Sequence, residues 1–71
     1  MVEIDVSGFS CPIPVVRTKK AMEQYPGQAL AVLLDNETSK ENVSRLAANR
    51  GYQVQAEKVA NGYRLVLTPM P

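Results

Sequence analysis

Histidine is absent from the 71 residues, which excludes imidazole acid/base catalysis and histidine metal ligation. Cysteine occurs once, at Cys11. An intramolecular disulfide, a Cys-x-x-Cys redox pair and a multi-cysteine zinc site are therefore all excluded. Charge of one sign is not in excess: 8 basic and 7 acidic residues leave a net charge of +1, so there is no electrostatic case for nucleic acid or an acidic membrane. The longest purely apolar run, "ALAVLL" from Ala29 to Leu34, is far too short to span a bilayer. The start, "MVEIDV", has neither the basic region nor the apolar stretch of a signal peptide. Few cysteines and no visible leader lead us to expect a cytoplasmic location. Repeats, low-complexity tracts and internal linkers are also missing.

What is present is a small, patterned domain. Hydrophobic residues make up 45% of the chain, enough for one core, although a fold of this size is expected to be marginally stable. Val2, Ile4 and Val6 alternate with Glu3 and Asp5, the period of a half-buried strand, and Gly8 breaks it. From Pro12 the period becomes helical. Val15, Thr18, Met22 and Tyr25 fall on one stripe with Ala21 beside them, and Pro26-Gly27 ends a helix running from Pro12 to Tyr25. "ALAVLL" reads as a second strand, apolar on both faces as a central strand tends to be.

Thr38 followed by Glu41 matches a capping box, which places the start of a second helix whose buried stripe is Val43, Leu46 and Ala47. Gly51 stands where a left-handed C-terminal cap belongs. Two further alternating runs, Tyr52–Val54–Ala56 and Tyr63–Leu65–Leu67, flank Asn61-Gly62, a strong two-residue hairpin signal. The order β-α-β-α-β-β predicts an α/β two-layer sandwich. In it a four-stranded mixed sheet of order 1-2-4-3 carries both helices on one face. The predicted core is Ile4, Val6, Phe9, Val15, Met22, Leu30, Val32, Leu34, Val43, Leu46, Val54, Leu65 and Leu67. The other face receives Glu3, Asp5, Gln53, Gln55, Glu57, Arg64 and Thr68 around an apolar strip of Ala29, Ala31, Leu33 and Val66, a potential seat for a second domain or a second copy.

The candidate site is "GFSCPIPVVRTKK", Gly8 to Lys20. Cys11 is expected at the N-cap of the first helix, with Pro12 at the first helical position and Pro14 still in the first turn. Proline costs no helix hydrogen bond at these positions. The helix dipole favours a thiolate there. Parallel strands one and two end on the same sheet edge, so the loop from Asp35 to Thr38 is expected close by. A lone cysteine can equally be a small buried hydrophobe. Without a base, hydrolytic cysteine chemistry is unsupported. Thiol exchange or carriage of a persulfide sulfur needs only an exposed thiolate. Arg17, Lys19 and Lys20 read either as a solvated helix face or as a surface that docks an acidic partner. The aromatics Phe9, Tyr25, Tyr52 and Tyr63 sit at core periodicity, which disfavours a nucleic-acid stacking platform.

"DVSGFSCPIPVVRTKKAM" resembles the signature of the TusA/SirA family of small sulfur carriers, in which Cys-Pro-x-Pro follows a strand and a glycine. "LLDNETSKENVSRLAANRGYQV" looks especially like the TusA-like N-terminal domain of YedF-type proteins. The resemblance covers the whole chain as one domain, 1–71, standing alone, excised from a longer chain or followed by a second domain. It implies Cys11 as the sulfur-bearing residue, with Gly8, Pro12 and Pro14 as structural parts of the motif. It also implies a sulfur-donor protein such as a cysteine desulfurase, and an acceptor protein. No cofactor or metal is implied. Such a carrier is an enzyme only in the broad sense of a transferase. Arg17, Lys19, Lys20 and Asp35 are the candidate partner-binding residues. A regulatory interaction module and a thiol redox sensor of the same fold are the alternatives.

Overall fold

The computed structural model describes residues 2–10 and 12–70. The elements follow the order β1 (Val2–Asp5), α1 (Ile13–Gln24), β2 (Leu30–Leu34), α2 (Glu37–Asn49), β3 (Tyr52–Val59) and β4 (Gly62–Pro69). One four-stranded sheet has the order β1-β2-β4-β3. β1 lies parallel to β2, and β4 lies antiparallel to both β2 and β3. The architecture is the expected sandwich. Alternation sends Leu30, Val32, Leu34, Leu65 and Leu67 to the helix-covered face, where they meet Val6, Met22, Val43, Ala47 and Tyr52. Ile4, Phe9, Val15, Leu46 and Val54 pack against this centre half-buried. Leu30, Leu65 and Leu67 are fully buried and Leu34 nearly so. At roughly 2 kcal/mol for each fully buried leucine, this layer outweighs any surface ion pair, which contributes at most ~1 kcal/mol.

Three local expectations are corrected. The cap of α2 is Asn36, not Thr38: its Oδ1 accepts the Ser39 backbone N–H at 2.8 Å, and Thr38 lies inside the first turn. β2 ends at Leu34, so the chain has already turned by Asn36, two residues ahead of the capping-box position. Gly51 does follow the helix with φ +80°, as expected. At the other helix, Pro12 occupies the cap position and regular α1 starts one residue late, at Ile13. The Ile13 N–H bonds the Ser10 carbonyl at 3.0 Å, closing a tighter turn before the helix begins.

The β3–β4 turn is Ala60–Asn61, because Val59 pairs with Gly62. Gly62 is thus the first residue of β4 rather than half of the turn. Its φ is +152°, and a Cβ there would collide with the Leu34 carbonyl and come within 2.7 Å of the Asp35 Cα. The glycine is required where β4 crosses the end of β2.

The open face is bound together more tightly than its apolar strip implied. Arg64 on β4 reaches Glu57 on β3 at 3.3 Å and Glu3 on β1 at 3.8 Å. β2 lies between β4 and β1, so the second pair closes only across β2. Ala31, opposite both Glu3 and Val66 in the register, is fully buried, and Leu33 and Val66 are half-buried.

Candidate functional site

The site is assembled where the parallel strands end. After β1, Asp5 turns the chain by accepting both the backbone N–H and the hydroxyl of Ser7. These two bonds hold its carboxyl below the usual carboxylate value. Gly8 follows with φ +83°, a left-handed conformation that a glycine adopts without strain. Its N–H donates to Asp35 Oδ2 at 2.7 Å. Asp35 Oδ1 accepts from the Asn36 side-chain amide at 2.9 Å. The Gly8 bond first, and the Asn36 bond second, hold the Asp35 carboxyl below its ordinary value. One carboxylate thereby joins the loop that enters α1 to the loop that enters α2.

Cys11 lies outside the described residues. Its sequence neighbours Ser10 and Pro12 are both exposed. Pro14, in contrast, is fully buried. Thr18, one turn on, is also fully buried and donates its hydroxyl to the Pro14 carbonyl at 2.7 Å. The start of α1 is thus anchored through its second proline while its first faces solvent.

Arg17, Lys19 and Lys20 are exposed along α1. The Arg17 guanidinium stands 4.5 Å above the Phe9 ring, a cation–π contact that ties it back to the loop preceding the helix. Two residues not singled out in the sequence complete the surface: Ile13 is 40% exposed and Val16 46% exposed. The signal for them was available, since both fall off the Val15–Thr18–Met22 stripe. Ser39, in the first turn of α2, is almost fully buried, and its hydroxyl has no hydrogen-bond partner among the described residues. Nothing in its sequence context marks that position. Among the described residues no helix is long and apolar enough to cross a membrane.

The model of the family described as sulfurtransferase TusA matches residues 2–68. The chain belongs to the TusA family. Similarity to individual TusA-type relatives extends over most of both chains. A protein of Methanocaldococcus jannaschii, provisionally named a sulfur carrier, is 42% identical over 94% of this chain and 92% of its own. The sulfur carrier protein TusA of Allochromatium vinosum is 31% identical over 84% of this chain and 80% of its own. The crystal structure of a SirA-like protein from Desulfitobacterium hafniense superimposes with a TM-score of 0.86 at 36% identity. That match covers 99% of this chain and 100% of the other. The fold is therefore shared over nearly the whole chain.

Proposed function

We propose that the protein is a sulfur carrier that passes a persulfide sulfur between protein partners on Cys11. The Cys11 thiolate attacks the terminal sulfur of a donor persulfide. A new S–S bond forms at Cys11, the donor's S–S bond breaks, and the donor leaves as a thiolate. An acceptor thiolate then attacks the terminal sulfur on Cys11, and the Cys11 thiolate leaves unchanged. Neither step has a net oxidant or reductant, and neither requires a base that the chain lacks.

The observation that carries this reading is the frame around the only cysteine. Ser10 and Pro12 on either side are exposed, and the Gly8–Asp35 bond and buried Pro14 fix that frame to the fold. Membership of a family whose named members are sulfur carriers supports it. Ile13 and Val16 supply exposed apolar contact in the first turns of α1, and Arg17, Lys19 and Lys20 supply charge that steers an acidic donor or acceptor.

Incubation with a cysteine desulfurase and free cysteine, followed by intact mass measurement, tests the proposal. The expected product carries the mass of one added sulfur, loses it to reductant, and does not form with Cys11→Ser. An adduct formed only with peroxide or glutathione would identify a redox sensor instead. Failure to load from any persulfide donor would leave an interaction module.

A further inference from the structure

β1 is an edge strand, and among the described residues no strand pairs with its outer side. Val2 and Val6 send their N–H groups inward to the carbonyls of Ala29, just before β2, and Leu33 on β2, at 3.2 and 2.9 Å. Alternation therefore turns the backbone N–H and C=O groups of Glu3 and Asp5 outward. α1 packs chiefly over β2. Between α1 and β1 lies an open groove of about 380 Å³. Val2 and Ile4 face it half-buried, Ala21 and Tyr25 form its far wall, and Arg17 and Lys20 stand on its helix-side rim.

The two sides of the edge carry opposite charge. Basic Arg17 and Lys20 flank the helix side. The Glu3 and Asp5 side chains project on the open face, where Arg64 reaches Glu3 at 3.8 Å and Asp5, beside Leu33, accepts both Ser7 bonds. A strand added here would alternate in the same way. Its residues on the helix side would lie beside Val2 and Ile4 beneath the basic rim, and its residues on the open side would lie beside the acids. A second copy of this chain does not fit. Two-fold antiparallel pairing of β1 with itself brings Glu3 and Asp5 against the same acids, and like charges directly opposite are destabilising.

We propose that the β1 edge binds an extended segment of a partner protein by strand addition. The segment carries basic residues at alternate positions over Glu3 and Asp5, and apolar or acidic residues at the intervening positions under Arg17 and Lys20. Main-chain bonds to Glu3 and Asp5 supply affinity and the two charge rows set register and partner choice. The proposal does not depend on the chemistry of Cys11.

The test uses the full chain, labelled for NMR, and two synthetic eight-residue peptides. In one, lysine alternates with valine and glutamate; in the other, glutamate alternates with valine and lysine. The lysine-row peptide is expected to shift the amides of Glu3 and Asp5 and slow their exchange, and to bind about tenfold more tightly than its charge-reversed counterpart. Glu3→Pro removes one outward donor while leaving the inward ladder intact, and should weaken binding by about tenfold. Should that variant fail to fold, Glu3→Lys serves instead, and it should shift preference toward the charge-reversed peptide. Absence of shifts at Glu3 and Asp5, equal binding of the two peptides, or Glu3→Lys leaving the preference unchanged would each overturn the proposal. So would concentration-dependent protection of this edge without peptide, which would show self-pairing.

Discussion

The Gly8 backbone N–H and the Asp35 carboxylate meet at 2.7 Å across 27 residues of sequence. This bond joins the end of β1 to the end of β2 beyond the last ladder pair, Asp5 with Leu33. Asp35 therefore holds the turn that follows β1 through the Gly8 backbone. Asp35→Ala should leave secondary structure unchanged but speed hydrogen exchange at the Gly8 amide. Unchanged protection of Gly8 would show that the loop holds itself.

The same carboxylate predicts an acid dependence of stability. Its hydrogen bonds hold it below the ordinary value of 3.8 in the folded state. The unfolded chain then binds more protons in the acid range, so stability rises with pH there. The Asp35 contribution is fully present above about pH 3.8 and is lost as pH falls through the lower folded value. Asp5, lowered by its two Ser7 bonds, acts with the same sign. Urea unfolding between about pH 2 and 6 should show a shallower acid loss for Asp35→Asn than for the wild type, and shallower still with Asp5→Asn added. Parallel curves would contradict the assignment.

Cap identity separates two substitutions that lie two residues apart. Asn36→Ala removes the bond to the Ser39 N–H and should cost about 1 kcal/mol. Thr38→Ala, within the first turn and exposed, should change stability by less than ~0.5 kcal/mol. Equilibrium denaturation of both variants checks the order, and a larger loss at Thr38 would restore the capping-box reading.

Two glycines with positive φ should respond differently to alanine. At Gly8 a Cβ meets nothing within 4 Å among the described residues, so only backbone strain of about 1–2 kcal/mol is expected. At Gly62 the Cβ meets the backbone of Leu34 and Asp35, which cannot swing aside as a side chain can. A loss of roughly 3 kcal/mol or more is expected there, since strain and overpacking combine. Thermal unfolding should rank Gly62→Ala well below Gly8→Ala.

Ser39→Ala should stabilise the protein. The hydroxyl is buried without a partner among the described residues, so its removal relieves an unmet desolvation cost, and alanine is the better helix former. A gain of about 1 kcal/mol in unfolding free energy is expected. Destabilisation would mean that the hydroxyl contributes a bond or packing that its removal loses.

The sequence by itself determined what depends on neighbours along the chain. The alternation of Val2, Ile4 and Val6, the helical stripe of Val15, Thr18 and Met22, and the buried run Leu30–Leu34 are local periods. Period alone decides which face of an element is apolar. Element order and the right-handed crossover rule led to two helices on one face of a mixed sheet, and the expected strand order 1-2-4-3 is the order observed. The candidate site around Cys11 was proposed from the same kind of local information, since Gly8, Pro12 and Pro14 stand within seven residues of one another. The tertiary structure decided what depends on register between distant segments. Gly62 read locally as half of a hairpin turn, but it is the first strand residue because β4 must pass the Leu34 carbonyl. Arg64 read as one polar residue among several, but β4 places it within reach of Glu57 and Glu3 on two different strands. Asp35 reaches Gly8 only once β1 and β2 lie side by side. Each of these contacts joins residues whose distance in space is set by strand pairing, a quantity that no periodicity within either segment encodes.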